Sequence, residues 1–163
     1  MNKLDEKISM TYGEKLRVRV CGICTYENKI LLVHHKSLGK TGSLWAPPGG
    51  GMEYGESAEE ALKREFIEET GLEISIERFL FVHEYLDKPL HGIELFFLVN
   101  TIGGNLETGH DPELSKKDQI ITSVRFYDLE AIKLEKKESL HYVLQHSSSI
   151  DELINLKGYF KFH

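Results

Sequence analysis

Residues Gly50 to Leu72 read GGMEYGESAEEALKREFIEETGL, and the second half of that stretch carries the punctuation of a helix. Ser57 followed three residues later by Glu60 is a capping box, and Gly71 is a natural stop, so the spacing predicts a helix over 58–70. At about 100° per residue, Glu65, Glu68 and Glu69 fall on one arc roughly 100° wide. Ala58, Ala61 and Leu62 lie on that same arc one to two turns earlier. The carboxylates therefore continue the face that should pack against the protein, whereas a solvated helix keeps its acids opposite its apolar stripe. Acids crowded at half-buried positions repel one another unless cations hold them together. That pattern points to a metal site.

Outward from this stretch the chain alternates strands and turns. Lys15 to Tyr26 and Lys29 to Lys36 read as strands around Glu27-Asn28, predicting a hairpin. Ser37 to Ser43 is a polar loop, and the short apolar Leu44-Trp45-Ala46 is halted by Pro47-Pro48 and Gly49-Gly50-Gly51. Beyond the helix, Ile74 to Leu86 and Gly92 to Ile102 are apolar enough for two strands, joined by Asp87-Lys88-Pro89. Gly103 to Gln119 is too long and polar for a simple connector, which makes it a candidate functional loop. Ile120 to Tyr127 reads as a last strand, and from Leu129 the tail reads as mostly helical, broken at Ser147-Ser148-Ser149. With no repeat and no composition break, residues 1–163 are expected to form one domain, with about 14 N-terminal and about 30 C-terminal residues as extensions.

Composition excludes several classes. With 40% apolar and 28% charged residues the chain is globular in character. No apolar run approaches the ~18 residues of a membrane span, and MNKLDEKISMTYGEK lacks the apolar core of a signal peptide. Cytoplasmic residence without membrane attachment is the expectation. A net charge of -6 argues against binding a nucleic-acid polymer. Cys21 and Cys24 form a C-x-x-C, yet in a strand residues three apart face opposite ways, and no second Cys pair or suitably spaced His accompanies them. They read as packing thiols.

Gly50, five residues, Glu56, seven residues, then Arg64-Glu65-Phe66-Ile67-Glu68-Glu69-Thr70-Gly71-Leu72 resembles the Nudix box, G-x5-E-x7-R-E-U-x-E-E-x-G-U with U bulky and aliphatic. Every charged and glycine position is filled, and the one departure is the aromatic Phe66. Seen alone, REFIEE would read as a solvated helix face; its register with Gly50, Glu56 and Gly71 favours the metal site. Looser resemblance extends to LLVHH, to Trp45 with Pro48-Gly49-Gly50, and to VRFYDLEAI.

The resemblance to Nudix (MutT-type) hydrolases implies an α/β fold, an α/β/α sandwich around a mixed sheet with the box as a loop-helix-loop. It implies water attack on a phosphoanhydride in a nucleoside diphosphate linked to another moiety, a nucleotide-type small molecule, with Mg²⁺ or Mn²⁺ as cofactor. Carried over by position, Glu65, Glu68 and Glu69 would be metal ligands, joined by a backbone carbonyl of Gly49 or Gly50. Glu56 would support the site, and Arg64 would fix a neighbouring carboxylate by paired hydrogen bonds. For the general base, Glu65 is the candidate in the box, and Asp111, Glu113 and Asp118 are candidates in the long loop. Glu113 or Asp118 would alternatively add a metal ligand. His34, His35, His83 and His91, and Trp45, Tyr85 and Phe97, are candidate pocket residues, with packing as the plainer reading. Of His34 and His35, only one can face the box helix. Dimers are frequent in the family. Two other classes remain open: a nucleotide-sensing module, which commonly loses box acids, and an isopentenyl-diphosphate-isomerase-like enzyme, which needs a cysteine in the pocket.

Overall fold

The computed structural model describes residues 10, 12–110, 112 and 119–162. Strands β1 (Leu16–Tyr26) and β2 (Lys29–Lys36) flank the expected turn, where Glu27 and Asn28 both take positive φ, 48° and 59°, as a tight hairpin turn requires. Pairing between them is confined to Thr25 with Ile30 and Tyr26 with Lys29. The two strands then part. Each is apolar and buried on both faces over Val20–Cys24 and Ile30–Val33, and a two-stranded hairpin cannot cover both faces. β1 runs between β4 (Gly49–Gly51), antiparallel, and β6 (Leu90–Gly104), parallel. β2 runs between β3 (Ser43–Ala46) and β7 (Ile121–Asp128), both antiparallel. The predicted hairpin is thus the corner from which two half-sheets diverge. The order is completed by β5 (Leu72–Asp87), antiparallel to β6, and β8 (Gly158–Phe160), parallel to β5.

Helix α1 (Ala58–Thr70) has the predicted bounds and covers one face of this mixed sheet. Its Ala61, Leu62 and Phe66 pack on Val20, Cys24, Leu31, Leu72, Ile74 and Val99. On the opposite face, Cys21, Ile23, Phe81 and Phe96 lie under Ile132, Val143, Leu144 and Leu153. Those four come from the C-terminal segment, with helices α2 (Leu129–Ile132), α3 (Tyr142–Gln145) and α4 (Ile150–Asn155). This is the α/β/α layering expected, and Cys21 and Cys24 do point into opposite packing clusters as free thiols.

The tail departs from the mostly helical expectation. Its helices are four to six residues long, and it ends in β8, which three residues of sequence could not announce. Ser149 caps α4, so the serine break marks a helix start. Among the described residues, no helix is long and apolar enough to cross a membrane.

Candidate active and metal-binding site

Two strand pairings bring the box together. β4 places Gly51, Gly50 and Gly49 opposite Arg19, Val20 and Cys21, so the glycine run is itself a short strand along β1. The capping box forms as predicted: Glu60 N–H donates to Ser57 Oγ at 3.3 Å and Ser57 N–H to Glu60 Oε2 at 2.8 Å. At the other end Gly71, at φ 70°, turns left-handed, a conformation glycine adopts without a Cβ penalty. β5 begins at the next residue. The loop after β6 docks on this helix end, with Glu107, Gly109 and His110 donating to the carbonyls of Thr70, Glu69 and Glu68 at 2.9–3.0 Å. These groups satisfy carbonyls a helix C-terminus leaves open. Asp111, Glu113 and Asp118 lie outside the described residues.

Arg64 is the hub of the acids. Its Nη2 and Nε donate to the two oxygens of Glu56 at 2.7 and 3.2 Å. Nη1 donates to Glu65 Oε1 at 2.9 Å and Glu68 Oε2 at 3.2 Å, and Nη2 also reaches the Gly51 carbonyl at 3.1 Å. The paired hydrogen bond anticipated for Arg64 therefore falls on Glu56, a residue the Glu53 N–H also holds at 2.6 Å. Hydrogen bonding to Arg64 holds the Glu56 carboxyl below its usual range.

The three helix acids differ in surroundings. Glu69 is 7% exposed; its Oε2 accepts the Gly49 N–H at 2.9 Å and its Oε1 lies 3.4 Å from His35 Nε2. Glu65 rests on Gly50 so closely that a Cβ there would stand 2.3–2.5 Å from its carboxyl atoms. Burial, then the charge of Glu69, outweigh Arg64 and push the Glu65 carboxyl up to about 7. Glu68 is the most open of the three. The acids are thus divided, Glu65 and Glu68 on Arg64 and Glu69 on Gly49 and His35, rather than meeting at one point. The donors are hard oxygens over a glycine cradle, the chemistry that suits Mg²⁺ or Mn²⁺.

Of the histidine pair, His35 faces the acids. His34 faces the other way, bonded to Ser43 Oγ at 2.8 Å and to Thr122, its ring 4.6 Å from Trp45. Trp45 is core, and Phe97 packs edge-on against Phe79. Tyr85 lines a cavity of about 210 Å³ with Lys40, Leu86, Asp87, Tyr142 and Phe162. His91 pairs with Glu84 at 2.8 Å, and His83 is fully buried against Glu94. Sequence reasoning passed over Arg19 and Glu94, which pair at 3.3 Å. The signal was a charge inside an apolar strand, alone for Glu94 in β6 and shared with Arg17 for Arg19 in β1.

The NUDIX domain profile matches residues 15–146, and the chain belongs to that family. An ADP-ribose pyrophosphatase of Methanocaldococcus jannaschii is 42% identical over 96 residues, 58% of this chain and 56% of that protein. The match thus spans little more than half the length of that relative. An 8-oxo-dGTP diphosphatase of Proteus vulgaris is 32% identical over 88 residues, 53% of this chain and 77% of its own. A NUDIX hydrolase structure from Nitrosomonas europaea superposes with a TM-score of 0.64 at 21% identity, covering 76% of this chain and 80% of that one. At that identity the likeness is one of fold.

Proposed function

We propose that this chain is a cytoplasmic pyrophosphohydrolase dependent on Mg²⁺ or Mn²⁺. It would cleave the phosphoanhydride of a nucleoside diphosphate linked to another moiety, by water attack at phosphorus. The observation that carries this reading is a cluster of three helix acids over a glycine cradle, Glu65 and Glu68 bonded to the guanidinium of Arg64 and Glu69 to the Gly49 N–H. Glu65, Glu68 and Glu69, with a carbonyl of Gly49 or Gly50, would hold the ion. Bound there, such an ion screens phosphoryl charge and acidifies water.

The protein's own groups divide the remaining work. Arg64 keeps Glu65 and Glu68 apart from each other's repulsion, and Glu56 fixes the Arg64 fork. The Gly49 N–H and His35 orient Glu69. Glu65, seated on Gly50 and bonded to Arg64, is the general base candidate within the box. The isomerase alternative fits poorly, because Cys21 and Cys24 are 3% and 2% exposed in packing clusters and burial raises both thiols. The sensing alternative fits poorly with a box that keeps every acid.

The deciding experiment is a Mg²⁺-dependent assay across ADP-ribose, nucleotide sugars, dinucleoside polyphosphates, and ordinary and oxidised nucleoside triphosphates. ADP-ribose comes first because of the Methanocaldococcus relative's name. Glu68→Gln and Glu69→Gln are each expected to lower kcat by on the order of 100-fold or more while leaving the unfolding transition intact. Near wild-type turnover in both would sink the assignment.

A further inference from the structure

A diphosphate approaching three acids needs cations on its other side. Arg64 does not supply one, because three carboxylates and the Gly51 carbonyl already occupy its donors. Arg19 lies on β1 between Gly51 of β4 and Glu94 of β6, and its side chain runs over Gly92 of β6. The charges of Glu65 and Glu69 act on it together with that of Glu94. A third of its side chain, 33%, is exposed, and its ion pair with Glu94 runs through Nε at 3.3 Å. Nε is the guanidinium nitrogen nearest the main chain. The closest contact with Glu94 is therefore made at the inner end of the guanidinium.

Glu94 is held just as specifically. Its Oε2 takes His83 Nδ1 at 2.8 Å and His141 Nε2 at 2.9 Å, leaving Oε1 to Arg19. The Val143 N–H donates to His141 Nδ1 at 3.3 Å, so the proton of a neutral His141 sits on Nε2 and points at the carboxylate. Ligand atoms of these three residues lie within 4.8 Å of one another, as in a metal site. Two imidazoles on one oxygen at 2.8 and 2.9 Å are hydrogen-bonded, however. Tetrahedral ligands at about 2.0–2.2 Å from an ion stand roughly 3.3 Å apart, and a guanidinium on the second oxygen supplies the positive charge. The cluster is an anchor for Arg19.

We propose that Arg19 binds the substrate's diphosphate through its Nη fork, and that Glu94, set by His83 and His141, is the positioning residue that holds Arg19 in place. This rests on the hydrolase reading above. The probe is methylenediphosphonate, the non-hydrolysable core common to all such substrates, titrated calorimetrically with Mg²⁺ present. Arg19→Ala should weaken its binding on the order of 10- to 100-fold, the range of charge-assisted hydrogen bonds to an anion. It should raise KM for whichever substrate the panel identifies by more than it lowers kcat. Arg19→Lys, which keeps the charge without the planar fork, should recover part of the affinity, and Glu94→Gln should fall between Ala and wild type. Equal binding by wild type and Arg19→Ala would overturn the assignment. So would a Lys variant as weak as Ala with a lowered unfolding temperature, which marks a structural role. Failure of the wild-type protein to bind the probe with Mg²⁺ would overturn the hydrolase reading and this one together.

Discussion

Phe66, the one residue that breaks the box pattern, is accommodated by an absence 44 positions upstream in the chain. A Cβ on Gly22 would lie 2.4 and 2.7 Å from the far ring atoms of Phe66, which is itself fully buried. The ring occupies the space that a side chain at position 22 would need. Gly22→Ala should therefore overpack the layer between α1 and β1 and cost about 1–3 kcal/mol, read as a lower midpoint in urea. Adding Phe66→Leu should return most of that loss, giving a coupling of about 1 kcal/mol or more. Strict additivity in the cycle would show that the two residues do not compete for space. Arg64, Glu65, Glu68 and Glu69 were legible in sequence because they sit at fixed spacing on one helix. His35 on Glu69 was legible only as one of two alternatives, since facing in a strand follows from register with neighbours that sequence does not name.

The helix was the most legible element because its ends are written locally. Ser57 with Glu60 and Gly71 bound α1 as expected, and neither cap depends on a distant partner. Ser57→Ala should cost about 1 kcal/mol of stability and leave Mg²⁺ affinity and kcat within a factor of two or so, since the cap hydrogen bonds stay within residues 57–60. A large kcat loss in Ser57→Ala without unfolding would show that the cap sets the position of the acids. Strands were legible where alternation ran long, as in β5 and β6, whose 16 and 15 residues extend the predicted spans by a few positions. β4 and β8, three residues each, carry too little pattern to be read. They exist because β1 and β5 offer open edges. The hairpin of β1 and β2 was half legible: the turn is local, but the divergence of the strands is decided by what covers their second faces.

Across the whole molecule, Glu94 is where distant parts of the chain meet. Arg19 comes from β1, His83 from β5, Glu94 from β6, and His141 from the N-cap of α3 in the C-terminal segment. None of this was visible beforehand, because the link between those elements is sheet order and the docking of a tail of short helices. The energetics of this junction are testable in acid. Burial alone would raise the Glu94 carboxyl, but His141, His83 and Arg19 outweigh it and hold the group well below its ordinary 4.5. A carboxyl whose folded value is depressed binds fewer protons in the folded state than in the unfolded chain. Its stabilising contribution is therefore complete above about pH 4.5 and is lost as pH falls through the folded value. Glu56 is also depressed, through its hydrogen bonds to Arg64, so the comparison is made against a variant rather than read from the wild type alone. Glu94→Gln keeps the shape and an oxygen for the imidazoles while removing the charge. It should be less stable than wild type at pH 7 by about 2–3 kcal/mol. The gap should hold steady down to about pH 4.5 and then narrow as pH falls further, because only the wild type loses this contribution there. Urea unfolding at a series of pH values measures it. Parallel acid slopes in the two proteins would mean that Glu94 is not the ionised centre that ties the C-terminal segment to the sheet.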